Sequence, residues 1–179
     1  MKRRLTVRVH SPNANGTRRH LAVAFAVPAL VLGVDWATKS WAASRLAKGV
    51  VTWVVQPWFG LRLITNPGVA FGLGARVPLL WLLVGALAVL GLVVAVMRIP
   101  RGRIGLALML GGAAGNVLSR LASGHVTDFL QVWPWPAVFN LADVALRVGA
   151  IWVLVAWLRP DAMREGSGTA GRRIIPPLR

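Results

Sequence analysis

Long apolar runs, each of about the 20 residues that a helix needs to cross a bilayer core, alternate along this chain with short segments rich in Arg, Gly and Pro. Four runs stand out: about Leu21 to Trp41, Val77 to Met97, Ile104 to Leu121 and Ala137 to Leu158. Each predicts a membrane-spanning helix. Between the first two the pattern changes, because Gly49 to Thr65 (GVVTWVVQPWFGLRLIT) is β-branched and aromatic with turn residues inside it. That stretch predicts short strands lying on a membrane surface. No internal repeat is evident.

Composition supports a bilayer as the solvent. Hydrophobic residues make up 56% of the 179 and charged residues only 15%, too apolar a balance for a water-facing surface. The net charge of +16 comes from 21 Lys and Arg against 5 Asp and Glu. Such an excess can signal nucleic acid or anionic lipid, but the positions of the basic residues decide otherwise. They gather before the first run (Lys2, Arg3, Arg4, Arg8, Arg18, Arg19), between the second and third (Arg98, Arg101, Arg103) and after the fourth (Arg159, Arg164, Arg172, Arg173). By the positive-inside rule these three regions face the cytoplasm. Both termini are then cytoplasmic, and about 42–76 and 122–136 face outward.

The segments 1–20 and 159–179 read as basic tails able to touch anionic lipid, flanking a membrane domain over 21–158. A cleavable signal peptide at the N-terminus is the competing reading, with Ala42-Ala43-Ser44 as small residues for cleavage. Against it, the first run carries Asp35 and Lys39 near its outer end, so a retained helix is expected. Six of the nine Trp residues (Trp36, Trp41, Trp53, Trp58, Trp133, Trp135) lie near the outer interface, as an anchoring aromatic belt would. The chain has no Cys. Thiolate metal sites, disulfides and thiol nucleophiles are therefore excluded.

Three of the five acids, Asp35, Asp128 and Asp143, sit in or beside the apolar runs at their outer ends. A carboxylate at membrane depth costs about 2.5 kcal/mol or more, so such groups tend to mark function. For Asp35 an ion pair with Lys39 one turn on is equally natural, and Asp143 has Arg147 at the same spacing. Asp128 and Asp143 lie in polar, turn-forming contexts (HVTDF and FNLAD), with Pro134 and Pro136 between them to double the chain back. The two carboxyls can thus meet. Carboxyls that share a site do not both ionise cheaply, which leaves one protonated and one charged, the acid and base pairing of aspartic proteases. Asn66, Asn116 and Asn140 fall at the same level, either donating to a substrate or to the acids, or satisfying backbone where helices begin or break. Gly111, Gly112 and Gly115 with Ala113 and Ala114 form a small-residue face for close helix packing.

Four ordered motifs carry a resemblance: DWATK (Asp35 to Lys39), NPGVAFG (Asn66 to Gly72), GGAAGNVLSRLASGHVTDF (Gly111 to Phe129) and FNLADVALRVG (Phe139 to Gly149). Over about Gly33 to Gly149 the chain resembles the type II signal peptidases, membrane aspartic peptidases that remove signal peptides from bacterial prolipoproteins. The resemblance implies an all-α membrane protein of four transmembrane helices with a small extracytoplasmic β-cradle and an outer loop. It implies Asp128 and Asp143 as the catalytic pair, support from Asn66, Asn116, Arg120 and Asn140, and Asp35 with Lys39 stabilising the helix that lines the site. It implies no metal and no cofactor. Expected partners are diacylglyceryl-modified prolipoprotein signal peptides and membrane lipid, without nucleic acid, for a monomer in the bacterial inner membrane.

One position departs from the family pattern. The third motif normally reads GNxxDR and here reads GNVLSR, so Ser119 stands where an Asp that bonds near the dyad is expected. The substitution is expected to deprive Arg120 of that neighbour and to alter how the dyad titrates. Alternative readings are a divergent, weakly active or inactive homologue that binds lipoprotein precursors, and a small transporter or channel subunit using the three acids as an ion path.

Overall fold

The computed structural model describes residues 14–67 and 78–159. The basic tails for the most part, and Gly68 to Gly72 of the second motif, lie outside the described residues. Four helices, α1 (Ala14–Arg45), α2 (Pro78–Arg98), α3 (Arg103–Ser123) and α4 (Leu141–Leu158), accompany one small sheet. The sheet comprises β1 (Val51–Val55), β2 (Phe59–Asn66), β3 (Val126–Val132) and β4 (Val138–Phe139), in that spatial order and antiparallel throughout.

Three helical stretches, Ala22–Arg45, Arg103–Ser123 and Leu141–Leu158, are long and apolar enough to cross a membrane. A helix of 21 residues such as α3 is about 32 Å long, close to the apolar thickness of a bilayer. The helix α2 is apolar as well, over Leu82–Arg98. Their outer faces are bare hydrocarbon: Leu30, Leu87 and Leu158 are each about two-thirds exposed, and Val34, Val84, Val94 and Val148 are exposed as well. Only lipid covers such a surface stably, so the chain is a multi-pass membrane protein.

The central helix is α3, which packs on α1, α2 and α4. Its expected small-residue face is the reason. Gly112 lies against the Ala142 backbone carbonyl of α4, and a Cβ on Gly115 would come within 2.7 Å of the Asp35 carboxylate of α1. At the end away from the sheet, Arg103 Nε donates to the Val96 carbonyl at 2.9 Å and Arg101 Nε to the Ala156 carbonyl at 2.8 Å. These arginines satisfy carbonyls left open where α2 and α4 end.

Two sequence expectations need correction. The fourth apolar run does not become helical at Ala137: Val138 and Phe139 pair with Gln131 and Leu130 as β4, and α4 starts at Leu141. The strands expected within Gly49 to Thr65 are present as β1 and β2, but the sheet also recruits β3 and β4 from beyond α3. Asp128 therefore stands on a strand, paired across from Ile64, and not in a turn. The turn lies later, where Trp133 to Pro136 reverse the chain. Trp58 and Trp133 meet edge to face there, with ring centroids 5.3 Å apart.

Candidate active site

The chain enters α4 through Asn140, which has extended backbone geometry and is completely buried. Its side-chain oxygen accepts the Asp143 backbone N–H at 3.0 Å, and the Asp143 carboxylate accepts the Asn140 backbone N–H at 3.2 Å. This reciprocal capping box satisfies two of the amides that a helix start leaves open. It also fixes Asp143 in the first turn, where the helix dipole favours a negative charge.

The remaining half of the Asn140 amide reaches across to the sheet. Its Nδ2 donates to Asp128 Oδ1 at 2.7 Å, while Asn66 Nδ2, from the end of β2, donates to Asp128 Oδ2 at 3.1 Å. Asp128 is 4% exposed. Burial pushes its carboxyl up to about 6, although the amide donors of Asn140 and Asn66 oppose the shift, and the nearby Asp143 charge adds to it.

On the α3 side, Asn116 Nδ2 donates to Asp143 Oδ1 at 2.9 Å, and Asn140 Nδ2 also reaches Asn116 Oδ1 at 3.2 Å. Arg120 lies one turn on, its Nη1 donating to the Asn116 carbonyl at 3.2 Å, and its guanidinium feels the charge of both Asp128 and Asp143. All six of these residues line one cavity of about 310 Å³, whose rim includes Trp135, Phe139 and Arg147.

Behind the cavity, Asp35 and Lys39 form the ion pair left open by the sequence, with Nζ to Oδ2 at 2.6 Å and both residues buried. The pair does more than steady α1. Asp35 Oδ1 accepts the Ala142 backbone N–H at 2.9 Å, stitching α1 to the first turn of α4. Lys39 Nζ also donates to Asn116 Oδ1 at 3.0 Å and to Ser119 Oγ at 3.1 Å.

Position 119 thus has a different neighbour from the one expected. The Ser119 hydroxyl meets Lys39 and donates to the Gly115 carbonyl at 2.8 Å, so its side chain acts on the ion pair and not on Arg120. The other spacing-based pairing is also not formed: the Arg147 guanidinium lies over the Phe139 ring, 5.3 Å from its centroid. Among the described residues Asp35 and Lys39 form the one ion pair. Trp135, Phe139 and Arg147 were not expected as lining residues. The only local signal for them was their proximity in sequence to the two acids.

Two acids presented by a strand and a helix, bridged by a buried amide in one cavity, can divide a proton between them and act on a peptide carbonyl and a water. Comparison with known proteins places the chain in a family. Residues 27–159 match the family described as Signal peptidase (SPase) II. The lipoprotein signal peptidase of Rhodococcus jostii (strain RHA1) is 36% identical over 165 residues, covering 84% of this chain and 81% of that protein. The lipoprotein signal peptidase of Pelotomaculum thermopropionicum is 43% identical over 137 residues, covering 74% and 88% respectively. A solved bacterial membrane enzyme shares the fold with a TM-score of 0.70 at 20% identity, covering 94% of this chain and 99% of that one. Because the match runs from α1 through both acids to the end of α4, the chain belongs to the signal peptidase II family.

Proposed function

We propose that this protein is an aspartic endopeptidase of the bacterial cell membrane that removes the signal peptide from diacylglyceryl-modified prolipoproteins, cutting just before the lipidated Cys. Four helices span the bilayer with both termini in the cytoplasm, which agrees with the clustering of Arg98, Arg101, Arg103 and Arg159 at the end opposite the cavity. The observation that carries the reading is the Asn140 bridge, which holds Asp128 and Asp143 in one cavity at the sheet end of the helices.

In this mechanism Asp128, whose buried carboxyl retains a proton more readily, donates a hydrogen bond to the scissile carbonyl oxygen. Asp143, held as an acceptor by Asn116 and Asn140, takes a proton from water as its oxygen attacks the carbonyl carbon. The tetrahedral intermediate collapses with cleavage of the C–N bond, and the amide nitrogen leaves with the proton that Asp143 received. The acyl chains of the substrate stay in lipid while its signal helix lies alongside the spans. Asn66, Asn116, Asn140 and Arg120 support the pair or the substrate backbone.

Both acids are present and bridged, which favours an active peptidase over a silent binding homologue. A transporter would spread its acids through the membrane depth. Here Asp35, Asp128 and Asp143 join one connected set of contacts. The test is cleavage of a diacylglyceryl-modified prolipoprotein peptide by the purified protein in detergent. Wild type should cut it and both Asp128→Asn and Asp143→Asn should not. Wild-type rates in either variant would remove that acid from the chemistry.

A further inference from the structure

We propose that Lys39 is a positioning residue of the peptidase reaction: its ammonium fixes the Asn116 amide with its oxygen toward α1 and its NH2 toward Asp143. The proposal rests on the reading of Asp128 and Asp143 as the catalytic pair, and it gives a buried cation on a neighbouring helix control over how that pair is held.

The geometry leaves little choice. An ammonium has three N–H groups, and those of Lys39 are directed at Asp35 Oδ2 (2.6 Å), Asn116 Oδ1 (3.0 Å) and Ser119 Oγ (3.1 Å). The Asn116 oxygen accepts a second donor, Asn140 Nδ2, at 3.2 Å. Turning the Asn116 amide over would set its NH2 against an ammonium and another NH2, three sets of donors with no acceptor. The amide is therefore locked, and its own NH2 has Asp143 Oδ1 before it at 2.9 Å. The cation acts on the carboxylate through one oriented dipole.

Ser119 matters to the strength of this effect. Its hydroxyl is neutral, so the one carboxylate bonded to Lys39 is Asp35. The other ionisable groups around this set of contacts are Arg120 on α3, His125 in the turn after α3, Asp128 on β3, and Asp143 and Arg147 on α4; β2 brings the neutral Asn66. The Lys39 charge also lowers the Asp128 carboxyl through space, so the variant that isolates the orienting role is Asn116→Leu, which breaks the link while the charge stays.

Lys39→Met by itself strands Asp35 as a buried unpaired charge and is a poor probe. The pair is better neutralised together as Asp35→Asn/Lys39→Met, beside Asn116→Leu, which leaves the ion pair in place, and the triple variant. The first readout needs no substrate: infrared titration of the carboxyl band that disappears in Asp128→Asn and Asp143→Asn. Neutralising the pair, or cutting the link with Asn116→Leu, should move this titration to higher pH by about half a unit or more. The second readout is kcat on the diacylglyceryl peptide, which should fall about tenfold or more in the double variant. The triple variant should be no slower than Asn116→Leu within about twofold, since both changes break one link. A band that stays in place in Asn116→Leu, or losses that multiply in the triple variant, would overturn the proposal. A wild type that cleaves nothing while the band still moves would instead overturn the peptidase reading and leave the orienting role of Lys39 standing.

Discussion

Asn140 donates to Asp128 at 2.7 Å with one end of its side-chain amide and accepts the backbone N–H of Asp143 at 3.0 Å with the other. One residue thereby sets the separation between a strand and a helix and caps that helix. Loss of the cap alone costs about 1 kcal/mol, while loss of the bridge lets the acids drift, and a misplacement of about 1 Å can cost on the order of a hundredfold in rate. Asn140→Ala should therefore lower kcat by about a hundredfold with only a modest fall in Tm. Thermal unfolding and single-turnover cleavage on the same preparation would check the contrast.

The elevated Asp128 carboxyl makes stability depend on pH in a defined direction. Its value of about 6 in the folded protein lies above the ordinary 3.8, so between these limits the native state holds more protons than the unfolded state. The penalty for burying the carboxylate is absent below about pH 4, grows as pH rises to about 6, and is constant above. It amounts to at most about 3 kcal/mol. The Tm of wild type should fall across this window relative to Asp128→Asn, which does not titrate there. A flat difference between the two proteins from pH 4 to 7 would contradict the shift.

Asn66 opposes that shift through its 3.1 Å hydrogen bond. Asn66→Leu should raise the Asp128 carboxyl further and, because Asp128 acts in its protonated form, move the alkaline limb of the cleavage profile to higher pH. The check is the pH dependence of kcat for the two proteins.

Gly115 marks the closest approach of α3 to the Asp35 carboxylate, where an added Cβ would lie 2.7 Å from Oδ2. The obstacle is a charged group held on both sides, by Lys39 and by the Ala142 backbone, so it has nowhere to relax. Gly115→Ala should cost about 1 to 3 kcal/mol, as overpacking does, even though alanine is the better helix former. A rise in Tm would show that the contact yields.

Ser119→Asp would set a second carboxylate beside Lys39, whose Nζ is now 3.1 Å from the Ser119 hydroxyl. The cation would then be shared between two anions and its pull on the dyad reduced. The acidic limb of kcat should move to higher pH, in the same direction as neutralising Lys39. Movement to lower pH would mean that position 119 acts by another route.

The helices were legible from their apolar runs because bilayer thickness dictates span length, yet their ends were not. Ala137 to Phe139 is as apolar as the helix it precedes, and only pairing with β3 reveals it as strand. The strand β3 was hidden because its partner β2 lies on the far side of two helices in sequence, and Asp128 interrupts its apolar character. The capping box was readable in principle, as Asn140 followed three residues on by Asp143, but recognising it required the helix to begin at Leu141. Asp128 and Asp143 draw attention in the sequence because acids are scarce here, and the structure brings both to one cavity. The attachment of Ser119 to Lys39 was not foreseeable, since it follows from which faces of α1 and α3 meet.

The two acids stand on different kinds of element, one on an interfacial strand and one at the head of a helix. Neither element holds half of the activity. On the proposed mechanism, helices without a paired sheet would lack the strand that carries Asp128, and an unpaired β3 would also lose the Asn66 contact that β2 supplies. Pairing of the sheet and seating of α4 are then joint requirements for cleavage, so a defect in either should abolish it.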